Sequence, residues 1–134
     1  MSGLILKLAP KERILINGAV LENGEKRTKI SIKTPNANIL RLRDAIHPND
    51  ADTPVSRLCY ICQLILTGDT KEDAIKEQIL LALSELSKVF SDPDSTRLLK
   101  AAAESIAESN YYATLRHLKS LLPREERLLS MRSA

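Results

Sequence analysis

Aromatic residues are scarce in this 134-residue chain, which has no tryptophan, one phenylalanine and three tyrosines. A hydrophobic core must therefore be filled by aliphatic side chains, and hydrophobic residues make up 43% of the chain. The scarcity also excludes the aromatic platforms on which many RNA-binding sheets stack unpaired bases. Any nucleic-acid contact predicted for this chain has to depend mainly on charge and hydrogen bonds.

Residues that carry most catalytic chemistry are also few. The four glycines form no phosphate-cradling loop, and His47 and His117 show no recognisable pairing with an acid or a nucleophile. Cys59 and Cys62 form a Cys-x-x-Cys motif, which elsewhere is a redox pair or half of a zinc site. Because this motif lies inside an apolar helical segment and lacks further ligands, we predict two small buried residues. We predict a non-enzyme without a metal site or a cofactor.

Long apolar runs are absent as well. Lys7 interrupts the first apolar run, and no stretch approaches the roughly 20 apolar residues that a transmembrane helix needs. The N-terminus also lacks the charged start, the longer apolar segment and the cleavage site of a secretory signal. We therefore expect a cytoplasmic protein that has no membrane partner.

Residues 4–43 have the pattern of short β-strands. Five β-prone runs, several of them alternating in polarity, are separated by residues that favour turns or break strands. These separating residues are Pro10, Asn17-Gly18, Asn23-Gly24 and Pro35-Asn36. The tight connections predict a meander or a small barrel in which consecutive strands pair.

After residue 52 the hydrophobic period changes to that of helices. Thr53-Pro54 predicts the start of a first helix and Gly68 its end. Three more helices follow; the second is capped near Thr70, and the fourth ends before Pro123, with a frayed tail beyond residue 129. We predict an α+β fold: a basic, five-stranded antiparallel β module (1–46), a linker (47–52) and an antiparallel bundle of about four helices (53–129).

The net charge of +3 hides an asymmetry between these two modules. Residues 1–43 hold nine basic residues against three acidic ones, a net charge of +6, whereas the remainder of the chain has a net charge of −3. A positive charge of this density on a short segment favours a polyanionic partner. The alternative is that the cations keep exposed strands in solution and protect them from aggregation.

Strand alternation places the cations on particular faces. The fourth predicted strand presents three of them opposite its isoleucines, and the fifth presents two outward while Leu40 and Leu42 face the core. Because like charges that lie opposite each other destabilise a sheet, their retention favours binding of phosphate. We predict that these five residues contact RNA: Arg27, Lys29, Lys33, Arg41 and Arg43.

Two blocks of the sequence and one dipeptide occur in an order that is typical of a known family. They are residues 12–20 with Asn23-Gly24 and Arg27-Thr28, residues 52–58 with Tyr60 and Gln63-Leu64, and Tyr111-Tyr112. This pattern resembles the FlbT family of flagellum biosynthesis repressors, and the resemblance covers most of the chain.

The resemblance implies a post-transcriptional regulator that binds the 5′ leader of flagellin mRNA and represses its translation or promotes its decay. It also implies a FlaF-like regulator as a partner. It supplies no set of RNA-contacting residues, so the site prediction depends on strand alternation alone. The alternative left open is an adaptor or chaperone-like factor that binds flagellin or the FlaF-like regulator without touching RNA.

The N-terminal third has a fainter likeness to carbon-storage regulators of the CsrA type, which are RNA-binding dimers of five-stranded chains. Residues 4–6, 34–35 and 43–46 carry this likeness. Leu8 and Leu42 depart from it, because that family has an RNA-facing arginine and a histidine at these places. The likeness singles out Arg43, makes Arg41 its neighbour and implies a strand-sharing homodimer.

Overall fold

A computed structural model describes residues 4–35 and 37–133. In this part of the chain five antiparallel strands precede four α-helices, which confirms the predicted α+β class. The strands are β1 (Leu4–Leu8), β2 (Arg13–Ile16), β3 (Ala19–Glu22), β4 (Thr28–Ile32) and β5 (Ile39–Arg41). The helices are α1 (Pro54–Thr67), α2 (Glu72–Val89), α3 (Pro93–Ala107) and α4 (Tyr111–Ser133).

The hairpin between β2 and β3 follows from its turn residues. Asn17 has a φ of +48° and Gly18 a φ of +86°, and both lie in the left-handed region that a tight two-residue hairpin turn requires. The second Asn-Gly dipeptide has a different role. The Asn23 side chain donates to the carbonyl oxygens of Ala9 (2.7 Å) and Lys26 (3.0 Å), so it fixes the loop that leads to β4.

The pairing of the strands differs from the predicted meander. β1 pairs with β4, whereas β2 pairs with β3 on one side and β5 on the other, so the described strands form two sheets. The meander prediction was wrong, and β4 and β5 are not paired neighbours. The reason is hydrophobic: β1 and β4 each turn alternate apolar residues toward one small cluster with β2 and β5. Its buried members are Leu6, Leu8, Ile14, Ile39 and Tyr112.

Local capping residues set most of the helix ends. The Thr53 hydroxyl accepts a hydrogen bond from the Ser56 amide (3.2 Å), and Gly68 ends α1 in the left-handed conformation, as predicted. The predicted cap near Thr70 was wrong, because α2 begins at Glu72 and no side chain caps it. The Asp92 carboxylate accepts from the Ser95 amide (3.0 Å) and caps α3.

Helix α4 continues well past its predicted end. It includes Pro123 and remains helical to Ser133, so both the predicted stop before Pro123 and the frayed tail beyond residue 129 were wrong. A proline within a helix lacks the N–H donor and destabilises it. Contacts on either side compensate here. Leu121 is fully buried before the proline, and after it the buried Glu125 carboxylate accepts a hydrogen bond from the Val55 amide (2.9 Å) at the start of α1.

The helices enclose one continuous core that is mainly aliphatic, with Phe90 and Tyr111 as its buried aromatic members. Cys59 and Cys62 are fully buried within it as free thiols, which agrees with the predicted packing role. Burial raises the pKa of both thiols to about 12. No helix among the described residues is long and apolar enough to cross a membrane.

The strands and the helices each place one buried side chain in the other's core. Leu40 of β5 is buried in the helical cluster, and Tyr112 of α4 is buried in the strand cluster. The Lys119 ammonium of α4 also donates to the Asp44 carbonyl oxygen (2.9 Å) just after β5. A module boundary at residues 47–52 stays a prediction, and these contacts join its two sides.

Candidate nucleic-acid interface

The outer face of the β1–β4 pair carries lysines that lie directly opposite each other. The register aligns Lys7 with Lys29, and both side chains are exposed. No described carboxylate lies within 4.0 Å of either ammonium group. Directly opposed like charges cost about 0.2–1 kcal/mol in a sheet. An anionic ligand on this face would remove that repulsion.

These lysines line a groove of about 880 Å³ that runs between the β1–β4 pair, the turn after β5 and helix α4. We call it the basic groove. Asp44 is the acidic residue that lines it, against six exposed or half-buried cations from four parts of the chain. The six are Lys7, Arg27, Lys29, Arg43, Arg116 and Lys119.

Three of the five predicted RNA contacts come together in this groove as open side chains: Arg27, Lys29 and Arg43. Lys33 is also exposed, but it lines a separate pocket beside the groove. The structure thus brings four predicted cations to adjoining surfaces, although β4 and β5 do not pair.

Arg41 is the exception, and its predicted outward orientation was wrong. Its relative exposure is 9%, and its Nε and Nη2 atoms donate to the two carboxylate oxygens of Glu12 at 2.6 and 2.8 Å. Nη2 also donates to the Lys7 carbonyl oxygen (2.6 Å).

Alternation places Arg41 on the face of β5 opposite Leu40, but both faces of this strand are covered, since Leu40 packs in the helical cluster and Ile39 in the strand cluster. After Arg41 the chain enters a 3₁₀ turn and the alternation ends. Leu42, which was predicted to be buried, is consequently 42% exposed.

Arg41 forms part of the floor of the basic groove, and Glu12, which does not itself line the groove, holds it in place by their ion pair. The hydrogen-bonded Arg41 guanidinium holds the pKa of Glu12 at about 2, and the Ala9 amide contributes by donating to the same carboxylate. Arg43 lies above this floor, with its Nε atom 3.7 Å from Glu12 Oε2 and its side chain 59% exposed. Glu12 therefore neutralises Arg41 and leaves Arg43 open to solvent.

The family to which the chain belongs is shown by a match along most of its length. Residues 4–129 match the family model described as "Flagellar protein FlbT". This chain belongs to the FlbT family. The predicted family is confirmed, and no solved structure matches the chain.

Curated FlbT relatives match nearly the whole chain. One from Rhodopseudomonas palustris (strain TIE-1) is 34% identical over 127 residues, which cover 95% of this chain and 98% of that protein. One from Caulobacter vibrioides (strain ATCC 19089) is 25% identical over 126 residues, which cover 94% and 89%. The first is named a probable flagellum biosynthesis repressor protein FlbT and the second a flagellum biosynthesis repressor protein FlbT. These names support a regulatory, repressor role.

Three cations of the groove in this FlbT family member were missed by sequence reasoning: Lys7, Arg116 and Lys119. Lys7 could have been found, because alternation in β1 places it opposite Leu6 and Leu8. Arg116 and Lys119 share one helical face, three residues apart. Nothing in the local sequence indicates that this face lies beside β1.

The cations of the groove differ in their ionic partners. Lys119 lies 3.6 Å from the Asp44 carboxylate, so this pair joins α4 to the turn after β5. Lys7, Arg27, Lys29 and Arg116 have no carboxylate within 4.0 Å among the described residues. No described carboxylate neutralises these four cations of the basic groove.

Other chemistry has little support in the described part of the chain. No group of three His, Cys, Asp or Glu side chains among those residues is placed to hold a metal ion. The Cys59 and Cys62 thiols lie in the core with raised pKa values, away from the groove lining. The basic groove is therefore the candidate site.

Proposed function

We propose that this FlbT family protein is a post-transcriptional regulator that binds the 5′ leader of flagellin mRNA in the basic groove. Bound there, it represses translation of the message or promotes its decay. The names of its relatives support the repressor role. The observation that carries the RNA contact is the opposed Lys7–Lys29 pair, which no described carboxylate neutralises.

In this proposal the lysines and the arginines of the groove make different contacts with RNA. Lys7 and Lys29 act as compact charges toward backbone phosphates, whereas Arg27, Arg43 and Arg116 offer planar forks that suit phosphate or the edge of guanine. Arg41 stays beneath the ligand, since its guanidinium is already paired with Glu12. Because aromatic platforms are lacking, most of the affinity is electrostatic and depends strongly on salt.

The test is a titration of a labelled flagellin leader with purified protein at several salt concentrations. Each phosphate contact to single-stranded RNA contributes about 0.7 to the slope of log affinity against log salt. We expect Lys7→Gln and Lys29→Gln each to lower this slope by about one contact. Lys71→Gln and Lys100→Gln are matched controls, because these exposed lysines of the helical half do not line the groove. They should leave the slope unchanged.

Two outcomes would contradict the proposal in different ways. If the control lysines lower the slope as much as Lys7 and Lys29 do, the RNA contact is a property of overall charge and the groove assignment is wrong. If the wild-type protein does not bind the leader at all, the RNA-binding function itself is wrong.

A second candidate function is that of an adaptor for a FlaF-like regulator or for flagellin. A specific observation favours it: Val89 of α2 is 62% exposed and Met131 of α4 is 73% exposed, and both line one shallow depression with Phe90 and Leu128. Exposed apolar side chains that cluster in this way are typical of protein-binding surfaces. Failure to bind the leader, together with binding of a FlaF-like protein, would favour the adaptor.

A further inference from the structure

A second pocket, of about 490 Å³, opens beside the basic groove and has a different lining. Tyr112 and Arg116 of α4 line both the groove and this pocket. Apolar side chains from β1, β4 and β5 form one wall: Leu4, Ile32 and Ile39. The opposite wall is the first turns of α4, which carry polar groups. The volume lies within the range of about 300–1,000 Å³ that is usual for small-ligand pockets.

Two polar side chains on this wall, Asn110 just before α4 and His117 within it, have donors or acceptors that no described residue uses. The Asn110 Oδ1 atom accepts from the Ala113 amide (3.2 Å), which fixes the side-chain amide, and its amino group donates to none of the described residues. The ring nitrogens of His117 likewise have no hydrogen-bond partner in the described part of the chain. Both residues are half-buried and line the pocket.

His117 can act as both a hydrogen-bond donor and an acceptor. Partial burial and the nearby guanidinium groups of Arg116 and Arg97 lower its pKa below the ordinary value of 6.5. Its imidazole is therefore mainly neutral at pH 7, with one nitrogen as a donor and the other as an acceptor. A neutral, two-way group of this kind suits a heterocycle edge better than it suits a phosphate.

Two cations line the pocket. Lys33 lines one side, and Arg116 stands on the other, with its guanidinium carbon 5.9 Å from the centroid of the Tyr112 ring. Arg116 is exposed, so the second face of its guanidinium plane is free to stack on a flat ligand. Sequence-specific RNA recognition commonly combines such arginine stacking with hydrogen bonds to the edge of an unpaired base.

We propose that this pocket receives one unstacked base of the RNA whose backbone lies in the basic groove. The base lies against the apolar wall and Arg116, and Asn110 and His117 read its edge. This inference rests on the proposed function, because the groove supplies the backbone that presents the base. It gives an aromatic-poor protein a means of selecting a sequence, which the phosphate contacts alone do not provide.

The probes are four fluorescent eight-nucleotide RNAs, three made of A, C or U only and one of U with a single central G, whose dissociation constants are measured at one salt concentration. Wild-type protein should prefer one of them by about tenfold, since a well-formed polar contact discriminates bases by about 1–3 kcal/mol. His117→Ala removes an edge reader, and Ala113→Leu fills the pocket from the helix. Each should reduce the preference to less than about twofold. His47→Ala, which changes the other histidine, should keep it.

The outcomes separate this inference from the function on which it rests. Equal affinity of the wild-type protein for all four RNAs would overturn the base pocket and leave the groove in place. A preference retained in both His117→Ala and Ala113→Leu would overturn it as well. If none of the RNAs binds, the proposed function fails first. Far-UV circular dichroism of each variant shows that lost preference is not lost fold.

Discussion

The helical half and the strand half of this protein use their side chains in opposite ways. The four helices turn their apolar faces into one continuous core, which also takes in a residue from β5. The strand half has a small cluster of five buried residues, one of them supplied by α4, and every residue of β3 is exposed. The strand half thus depends on α4 to complete its core. Its outer face is left free for charge.

This difference separates the scaffold from the binding surface. The helical half provides most of the buried apolar area, and its face toward β1 presents Arg116 and Lys119. The strand half holds repelling lysines that a purely structural sheet would not need. Stability and charge are therefore joined mainly at β5 and at α4. Substitutions of Glu12, Leu40 and Lys29 test this comparison.

The largest effect should come from the ion pair beneath the groove. Glu12→Gln leaves the Arg41 guanidinium buried without its carboxylate, and we expect the free energy of unfolding to fall by about 3–5 kcal/mol. Urea unfolding followed by circular dichroism measures this loss. Glu22→Gln is the control, because it breaks the exposed Arg13–Glu22 pair, which water screens. Equal losses in the two variants would show that the floor of the groove has no special role.

The Glu12–Arg41 pair should also make the stability of the wild-type protein depend on pH in the acid range. The pKa of Glu12 is lowered from its ordinary value of 4.5 to about 2 by folding. The stabilisation is therefore fully present above pH 4.5 and is lost as the pH falls from 4.5 toward 2. Stability measured across this window should depend less steeply on pH in Glu12→Gln than in the wild type. Parallel profiles would contradict the assignment.

The next effect concerns two leucines that strand alternation predicted to be equivalent. Leu40 is 2% exposed in the helical core, whereas Leu42 is 42% exposed on the 3₁₀ turn. Leu40→Ala should cost about 3 kcal/mol of unfolding free energy, because it leaves a cavity among the helices. Leu42→Ala should change it by less than about 0.5 kcal/mol. Urea midpoints of the two variants decide this, and similar values would place Leu42 in the core.

The smallest effect should have the opposite sign. Lys29→Gln removes the repulsion from Lys7, so we expect the fold to be stabilised by about 0.2–1 kcal/mol while RNA affinity falls. The gain should shrink as salt is added, because exposed charges are screened. Thermal unfolding at low and high salt measures it. Lys33→Gln serves as the control, since Lys33 lies beyond the β1–β4 register. A destabilised Lys29→Gln would mean that the lysine supports the sheet.

Structural features that depend only on neighbouring residues were predictable from the sequence. The Asn17-Gly18 turn and the Thr53 and Gly68 ends of α1 depend on local backbone preferences, and the structure has them where they were expected. The exposure of Lys29 followed from alternation within one strand. In each case the information and its consequence lie within a few residues.

Features that join distant segments were not predictable in this way. The pairing of β1 with β4 aligns Leu8 with Thr28 across two intervening strands, and local alternation does not specify such a partner. Arg41 is buried because Glu12, 29 residues earlier, reaches it. Arg116 could not be predicted for the same reason, because its position in the groove depends on how α4 packs against the strands.

The buried cysteines of α1 can serve as intrinsic probes of transient opening of the helical core. Cys59 and Cys62 are fully buried, and the raised pKa of each thiol keeps it protonated near neutral pH. An alkylating reagent can therefore modify them only during moments when the helices separate. The labelling rate then reports how often the helices open in a protein that carries no substitution. Since the groove spans α4 and the strands, a ligand bound across both should lower the rate at which the two cysteines are alkylated.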